Sequence, residues 1–135
     1  MRYFDAWLLS GLVLLCSATC HAQSIQPNTR WVNQRGSILT ITSIGADGQI
    51  GGSFVNHAKK FACKDDAYPI NGWTDGQKIS FSVRWKIVGH DCNSITAWVG
   101  YMTGAQITTE WTLVYVADSS HAPAILRESD IFKSQ

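Results

Sequence analysis

The sequence has 135 residues and a formal net charge of +1, and 16% of its residues are charged. This length is typical of a single domain. Because the chain has neither a basic cluster nor an acidic tail, its charge argues against a nucleic-acid partner. The composition is unusual in one respect, since six residues are tryptophan.

The first 22 residues have the organisation of a secretory signal peptide. Arg2 supplies a short positive region, residues 7–16 form an apolar run, and residues 20–22 provide a small residue and an alanine at positions −3 and −1 of a cleavage site. The run is too short to span a bilayer, and no second one follows. We therefore expect an exported chain, secreted or periplasmic, with a mature domain at residues 23–135. Lipidation of Cys20 is a weaker alternative.

Two cysteines, Cys63 and Cys92, remain once the signal segment is removed. An even pair in an exported protein predicts a disulfide, with two buried free thiols as the alternative. No CxxC spacing or nearby histidine supports a metal site. The predicted bridge closes a loop of about 30 residues.

Short segments rich in Ile, Val, Thr, Phe and Trp follow the signal, and turn residues separate them, as is typical of strands. Asp47-Gly48 and Asp75-Gly76 are turn signals. The predicted strands cover, in chain order, residues 30–33, 37–43, 49–56, 67–73, 78–87, 93–102, 107–115 and 124–132. The segments predicted to be loops are residues 57–66, 88–92 and 118–123.

The segment 78–87 shows the strand pattern most clearly, because apolar and polar residues alternate along it and place one face inward. Eight consecutive strands with mostly tight turns predict an all-β fold, an eight-stranded antiparallel up-and-down β-barrel. Such a barrel has room for side chains or for one small ligand. A β-sandwich is the alternative, but it usually needs longer crossover connections.

Enzyme motifs are missing from the sequence after the signal, which contains no GxSxG, HExxH, Walker A or GxGxxG pattern. His57, His90 and His121 all fall in predicted loops, where single histidines are usually solvated. The acidic turn at residues 64–66 is more typical of a solvated loop than of a cation site. The sequence therefore predicts neither catalysis nor a metal or cofactor.

Trp85, Trp98 and Trp111 lie on three successive predicted strands. Trp98 shares its face with Ser94 and Thr96, and a face that combines one large aromatic ring with hydroxyls is typical of a ligand pocket. The alternative is that the three rings pack an ordinary core.

Read in order, several segments resemble the avidin and streptavidin family. The match covers nearly all of the mature chain, and although no single segment is decisive, the ordered set is highly specific. The matching segments are WVNQRGS at residues 31–37, ADG at 46–48 leading to Phe54, VRW at 83–85, SITAWVG at 94–100, ITTEWTL at 107–113 and DIF at 130–132.

The likeness is greatest to the short dimeric bacterial avidins. These proteins have a cysteine pair at places that fit Cys63 and Cys92, and they lack the tryptophan that tetrameric members lend to a neighbour's pocket. Ala122 stands about where that tryptophan would be. The resemblance therefore implies a homodimer with a pocket built within each subunit.

The resemblance also implies biotin as the ligand and gives roles to polar side chains. Asn33 and Ser37 would donate hydrogen bonds to the ureido oxygen. Asp130 and Asn56 would each accept a hydrogen bond from one ureido N–H group. These positions match the family's motifs one by one.

The remaining implied contacts concern the sulfur-containing ring and the acidic tail of biotin. Thr96 would donate a hydrogen bond to the ring sulfur. Ser94, with loop backbone near residues 57–60, would bind the valerate carboxylate. The residues that would wall the bicyclic ring are Trp85, Trp98, Trp111 and Leu113.

Two positions depart from the family's pattern. Phe54 stands where the family usually has a tyrosine that donates to the ureido oxygen, and one lost hydrogen bond is worth roughly 0.5–1.5 kcal/mol. Arg35 replaces a common apolar residue near the pocket mouth, and the sequence leaves the direction of its side chain open. Both departures favour the alternative of a barrel that binds another small cyclic or apolar ligand and binds biotin weakly. An exported enzyme or inhibitor on the same scaffold lacks a nucleophile and its base.

Overall fold

The computed structural model describes residues 23–135. The predicted signal peptide at residues 1–22, including Cys20, lies outside the described residues. Eight strands make up the described chain: β1 Thr29–Asn33, β2 Ile38–Ile44, β3 Gln49–Val55, β4 Ala67–Asp75, β5 Lys78–Ile87, β6 His90–Thr103, β7 Gln106–Val116 and β8 Pro123–Ser134.

Each strand pairs antiparallel with the next one, and β8 pairs with β1, so the sheet closes into a barrel. This arrangement confirms the predicted up-and-down barrel and excludes the sandwich. Within residues 23–135, no helix is long and apolar enough to cross a membrane.

The alternation predicted along β5 is present in the structure. Ile79, Phe81, Val83 and Trp85 are buried inside the barrel, whereas the residues between them lie on its outer side. Burial of each such side chain contributes about 1.5–3 kcal/mol. The inward faces of all eight strands therefore form one core, with Phe132 of β8 packed against Phe54 and Phe81.

Glycines with a left-handed backbone lie in five of the hairpin turns, and two of these turns bear on the predictions. Gly48 has a φ of 83° in the turn between β2 and β3, as the Asp-Gly signal predicts. Gly89 has a φ of 86° and forms the two-residue connection between β5 and β6.

The prediction of a loop at residues 88–92 is wrong from His90 onward, because β6 begins at His90. Gly89 makes the turn tight enough for strand pairing to resume at once, with Lys86 opposite Asp91. Lys86 Nζ and Asp91 Oδ2 are 2.7 Å apart and reinforce this pairing. Elsewhere the observed strand ends lie within two residues of the predicted ones, and both ends of β5 agree. Ser37 and Asn56 lie just outside β2 and β3.

Candidate ligand-binding site

A cavity of about 740 Å³ opens at one end of the barrel. The β1–β2, β3–β4, β5–β6 and β7–β8 connections meet at this end. Its volume falls within the range of small-molecule sites. All eleven residues predicted as ligand contacts line it: Asn33, Ser37, Phe54, Asn56, Trp85, Ser94, Thr96, Trp98, Trp111, Leu113 and Asp130.

Aromatic rings form the floor and walls of the cavity. Trp98 packs against both Phe54 and Phe81, with 4.8 Å between ring centroids in each pair. Trp85 and Trp111 are also buried, yet both border the cavity. The three tryptophans therefore both pack the core and wall the cavity.

Asn33 is buried at the end of β1 and stabilises the turn that follows. Its Oδ1 accepts hydrogen bonds from the backbone N–H groups of Arg35 at 3.0 Å and Ser37 at 2.8 Å. Because Oδ1 accepts both, the amide nitrogen of the same side chain is oriented away from the turn. It makes no hydrogen bond to residues 23–135, and it is placed to donate into the cavity.

Ser37 and Asn56 connect this turn to the loop after β3. Ser37 Oγ accepts from the backbone N–H of His57 at 3.0 Å and donates to Asn56 Oδ1 over a longer 3.4 Å. Asn56 also accepts from the Ala58 N–H and donates to the Ala62 carbonyl. Asn56 therefore holds the loop in shape, a role that the sequence reasoning did not predict.

Thr96 lies on β6 with its hydroxyl fixed by the neighbouring wall. The Trp85 Nε1–H donates to Thr96 Oγ1 at 2.8 Å. Because Thr96 Oγ1 accepts this hydrogen bond, the Thr96 hydroxyl remains available to donate one of its own. Ser94 lies two residues earlier on the same face, nearer the mouth, and is half-buried.

Asp130 is the buried acidic group of the cavity. Its Oδ2 accepts from Trp98 Nε1 at 2.9 Å, and its Oδ1 accepts from Gln34 Nε2 at 3.2 Å and from the Arg35 guanidinium. A carboxylate offers about four acceptor positions, so these three donors leave room for one more. Burial of a charge needs such partners.

Arg35 points along the cavity wall, which answers the question that the sequence left open. Its guanidinium pairs with both Asp130 and Glu128 and lies 5.7 Å from the centroid of the Trp111 ring. Sequence reasoning did not identify Gln34 as a partner of Asp130.

Apolar residues that were not predicted complete the cavity. Phe61 packs edge-on against Trp111, with 6.2 Å between centroids, and Leu126 lies on the same face of β8 as Asp130. The period of two along β8 could have identified Leu126. Phe61 lies in an irregular loop, where no periodic signal exists.

Cys63 and Cys92 form the predicted disulfide, which joins the loop after β3 to the start of β6. Two histidines add to the cohesion of this region. His57 Nδ1 lies 2.8 Å from Asp65 Oδ1, and His90 Nδ1 lies 2.5 Å from Asp66 Oδ2. Both histidines remain exposed to solvent, as expected of single loop histidines, although the sequence did not predict their carboxylate partners. The loop folds back so that each histidine faces a carboxylate.

The fold and the cavity together define a barrel that encloses one small ligand. The Avidin family model matches residues 21–135, and the chain belongs to the Avidin family. The prediction from the ordered motifs is confirmed. In residues 23–135, no group of three or more His, Cys, Asp or Glu side chains is arranged to hold a metal ion.

Two relatives show the extent of the sequence likeness. Afifavidin from Afifella pfennigii is 39% identical over 97 residues, which cover 69% of this chain and 60% of afifavidin. The chain thus spans less than two thirds of that relative. Hoefavidin from Hoeflea phototrophica is 34% identical over 140 residues, covering 92% of this chain and 84% of hoefavidin.

Solved structures show the same barrel. A crystal structure of apo shwanavidin has a TM-score of 0.74 at 42% identity and covers 84% of this chain and 99% of shwanavidin. A crystal structure of a rhizavidin–biotin complex has a TM-score of 0.76 at 34% identity and covers 82% of this chain and 92% of rhizavidin.

Proposed function

We propose that this protein binds biotin without covalent attachment and catalyses no reaction. The observation that carries the proposal is the pairing of opposite hydrogen-bonding groups around one aromatic cavity. Asn33 presents a free amide donor at one side, and Asp130 retains acceptor capacity at another.

A ureido group needs this arrangement, because it has one strong acceptor oxygen flanked by two N–H donors. Asn33 and Ser37 would donate to the oxygen, and Asp130 would accept from an N–H. Hydrogen bonds to a charged partner are worth about 1.5–3 kcal/mol. Strands and turns already hold these groups in place, so binding orders little of the protein.

Asn56 is the second proposed acceptor, although its Oδ1 already accepts from Ala58 and Ser37. The bond from Ser37 is long, at 3.4 Å. If the ureido oxygen accepts the hydrogen bond of the Ser37 hydroxyl, Asn56 Oδ1 loses that donor and gains a free acceptor position. Asn56 would then accept from a ureido N–H.

The apolar and sulfur-containing parts of biotin fit the rest of the cavity. Trp85, Trp98 and Trp111 would pack against the bicyclic ring, and Leu113 would lie beside them. The Thr96 hydroxyl would donate a hydrogen bond to the ring sulfur. Ser94 and the backbone of residues 57–60 would receive the carboxylate, with Lys60 also at the cavity wall.

Solved relatives support this ligand. Rhizavidin and bradavidin2 have both been crystallised with biotin. A shwanavidin variant with phenylalanine replaced by alanine is described as a low-affinity mutant, and it too forms a biotin complex. A phenylalanine therefore matters for affinity in that relative.

Calorimetric titration of biotin into oxidised residues 23–135 tests the proposal. We expect one biotin per chain and a sub-micromolar Kd. A parallel titration with desthiobiotin, which lacks the sulfur, should show a smaller loss with Thr96→Val than biotin does. A folded protein with an intact Cys63–Cys92 bridge that gives no heat would mean that another cyclic or apolar ligand occupies the cavity. Small cyclic and apolar compounds would then be screened for their ability to displace a lipophilic dye from the cavity.

We further propose that the chain is cleaved near residue 22, is exported, and forms a homodimer. The disulfide supports an oxidising compartment. Support for the dimer comes from the outer face of the barrel, where Ile95, Val114 and Ile125 are adjacent across β6, β7 and β8 and are each about half exposed. A second copy would cover such an apolar row.

A further inference from the structure

The barrel wall beside Asp130 lacks backbone pairing on one side. β1 and β8 pair only from Trp31–Asn33 to Phe132–Ser134. From Ile131 back to Pro123, β8 continues toward the cavity mouth and pairs with β7 alone among the described strands. The turn after β1 therefore faces β8 across a gap in the sheet.

Side chains close this gap in place of a backbone ladder. Gln34 donates to the Ser129 carbonyl at 3.0 Å and accepts from the Ile131 N–H at 2.9 Å, as a strand neighbour would do. Arg35 donates to the same Ser129 carbonyl at 3.2 Å. These bonds fasten the β1–β2 turn to β8.

Arg35 also lies between two carboxylates. Glu128 and Asp130 are two residues apart on β8, so their side chains point to the same face. The guanidinium binds one with each terminal nitrogen. The planar fork of arginine suits this double contact better than the single charge of lysine does.

We propose that Arg35 is a positioning residue, which closes the barrel wall and holds Asp130 in the orientation that a ureido N–H requires. This inference rests on the proposed function. The Asp130 side chain is 4% exposed and the Arg35 side chain is 27% exposed. The ion pair therefore has one partner buried in the site and the other in contact with solvent. Release of the ligand therefore depends on Arg35 and on ionic strength, since salt weakens exposed ion pairs.

The test compares Arg35→Met and Arg35→Lys with the wild-type chain in two measurements. The first is the biotin dissociation rate at low and high salt. We expect Arg35→Met to dissociate roughly 10–100 times faster, because it loses charge-assisted hydrogen bonds. Its rate should vary less with salt than the wild-type rate, and Arg35→Lys should restore only part of the difference.

The second measurement is amide hydrogen exchange of the unliganded protein. We expect exchange at Ile131 to accelerate roughly tenfold in Arg35→Met, whereas amides of β6 keep their wild-type rates. Arg127→Met, on the outer face of the same strand, is the matched control and should change neither measurement.

Each outcome decides the inference. Wild-type exchange at Ile131, or a biotin dissociation rate within twofold of wild type at every salt concentration, overturns it. If the wild-type chain binds no biotin, the proposed function fails, and the exchange rates alone still decide whether Arg35 closes the wall. Faster exchange with faster dissociation supports both proposals.

Discussion

Trp98 and Asp130 are joined across the barrel by a hydrogen bond of 2.9 Å from the indole Nε1 to the carboxylate Oδ2. One residue belongs to β6 and the other to β8, and both are buried. The contact links the aromatic wall to the acidic group of the cavity. A change in either residue therefore disturbs the other.

Removal of the carboxylate by Asp130→Ala should weaken biotin binding by roughly 10–150-fold, because the ligand loses a charged acceptor. It also leaves the Trp98 N–H without its acceptor. Trp98→Phe separates the two effects, since it keeps a ring but removes the donor, and it should cost less than Asp130→Ala. Titration calorimetry measures both. A Kd for Asp130→Ala within threefold of wild type would contradict the assigned role.

Phe54→Tyr should tighten biotin binding by up to about tenfold, the value of one neutral hydrogen bond to the ureido oxygen. Phe54 is buried against Trp98, so the new hydroxyl has little water to contact in the unliganded protein. We therefore expect a lower Tm without biotin and a recovered Tm with it. Phe54→Leu, which keeps an apolar side chain but removes the ring, should weaken binding. Unchanged affinity in Phe54→Tyr would show that the hydroxyl does not reach the ligand.

The fold could be predicted because its signals are local. The alternation along β5 and the Asp-Gly turns each depend on residues close together in the chain. The tight turn at Gly89 was missed because Val88, the other residue of the turn, is not a turn former. The position of β6 could therefore be predicted only to within three residues.

The sequence predicted many of the residues that line the site but not the hydrogen bonds and ion pairs between them. Motif order identified eleven of the residues that line the cavity, but the partners of Arg35 lie more than 90 residues away in the chain. No local pattern indicates such a contact. The same reason explains why the bonds of Gln34 to β8 and the His90–Asp66 pair were missed.

The disulfide should contribute about 3.5 kcal/mol to stability, because Cys63 and Cys92 are 29 residues apart and the bridge restricts the unfolded chain. Urea unfolding of the oxidised protein and of Cys63→Ser/Cys92→Ser at pH 7 measures this difference. The bridge also fixes the loop after β3, so the double variant should release biotin faster. Equal unfolding midpoints would show that the loop is held without the bridge.

Tyr68 is fully buried beside Trp85, and its hydroxyl has no hydrogen-bond partner within residues 23–135. Tyr68→Phe should therefore raise stability by about 1–3 kcal/mol at pH 7, because an unpaired buried group is removed. Tyr101→Phe, at an exposed position of β6, is the control and should have no effect. Urea unfolding measures both variants.

The same side chain predicts a loss of stability in alkali. Burial, with a smaller contribution from the Asp66 charge, raises the pKa of Tyr68 above its usual value of 10.0. The folded state thus favours the neutral phenol, and its contribution to stability is complete below pH 10 and falls as the pH rises through the folded-state pKa. The stability difference between Tyr68→Phe and wild type should widen above pH 10. A constant difference would contradict this reasoning.

The proposed dimer should depend on the apolar row on the outer face of β6, β7 and β8. Val114→Lys places a charge between Ile95 and Ile125, where a partner chain would have to bury it. We expect this variant to sediment as a monomer where the wild-type chain sediments as a dimer. Val88→Lys is the matched control, because Val88 is fully exposed in the β5–β6 turn, away from the row. Its sedimentation should equal that of wild type, and a dimeric Val114→Lys would place the interface elsewhere on the barrel.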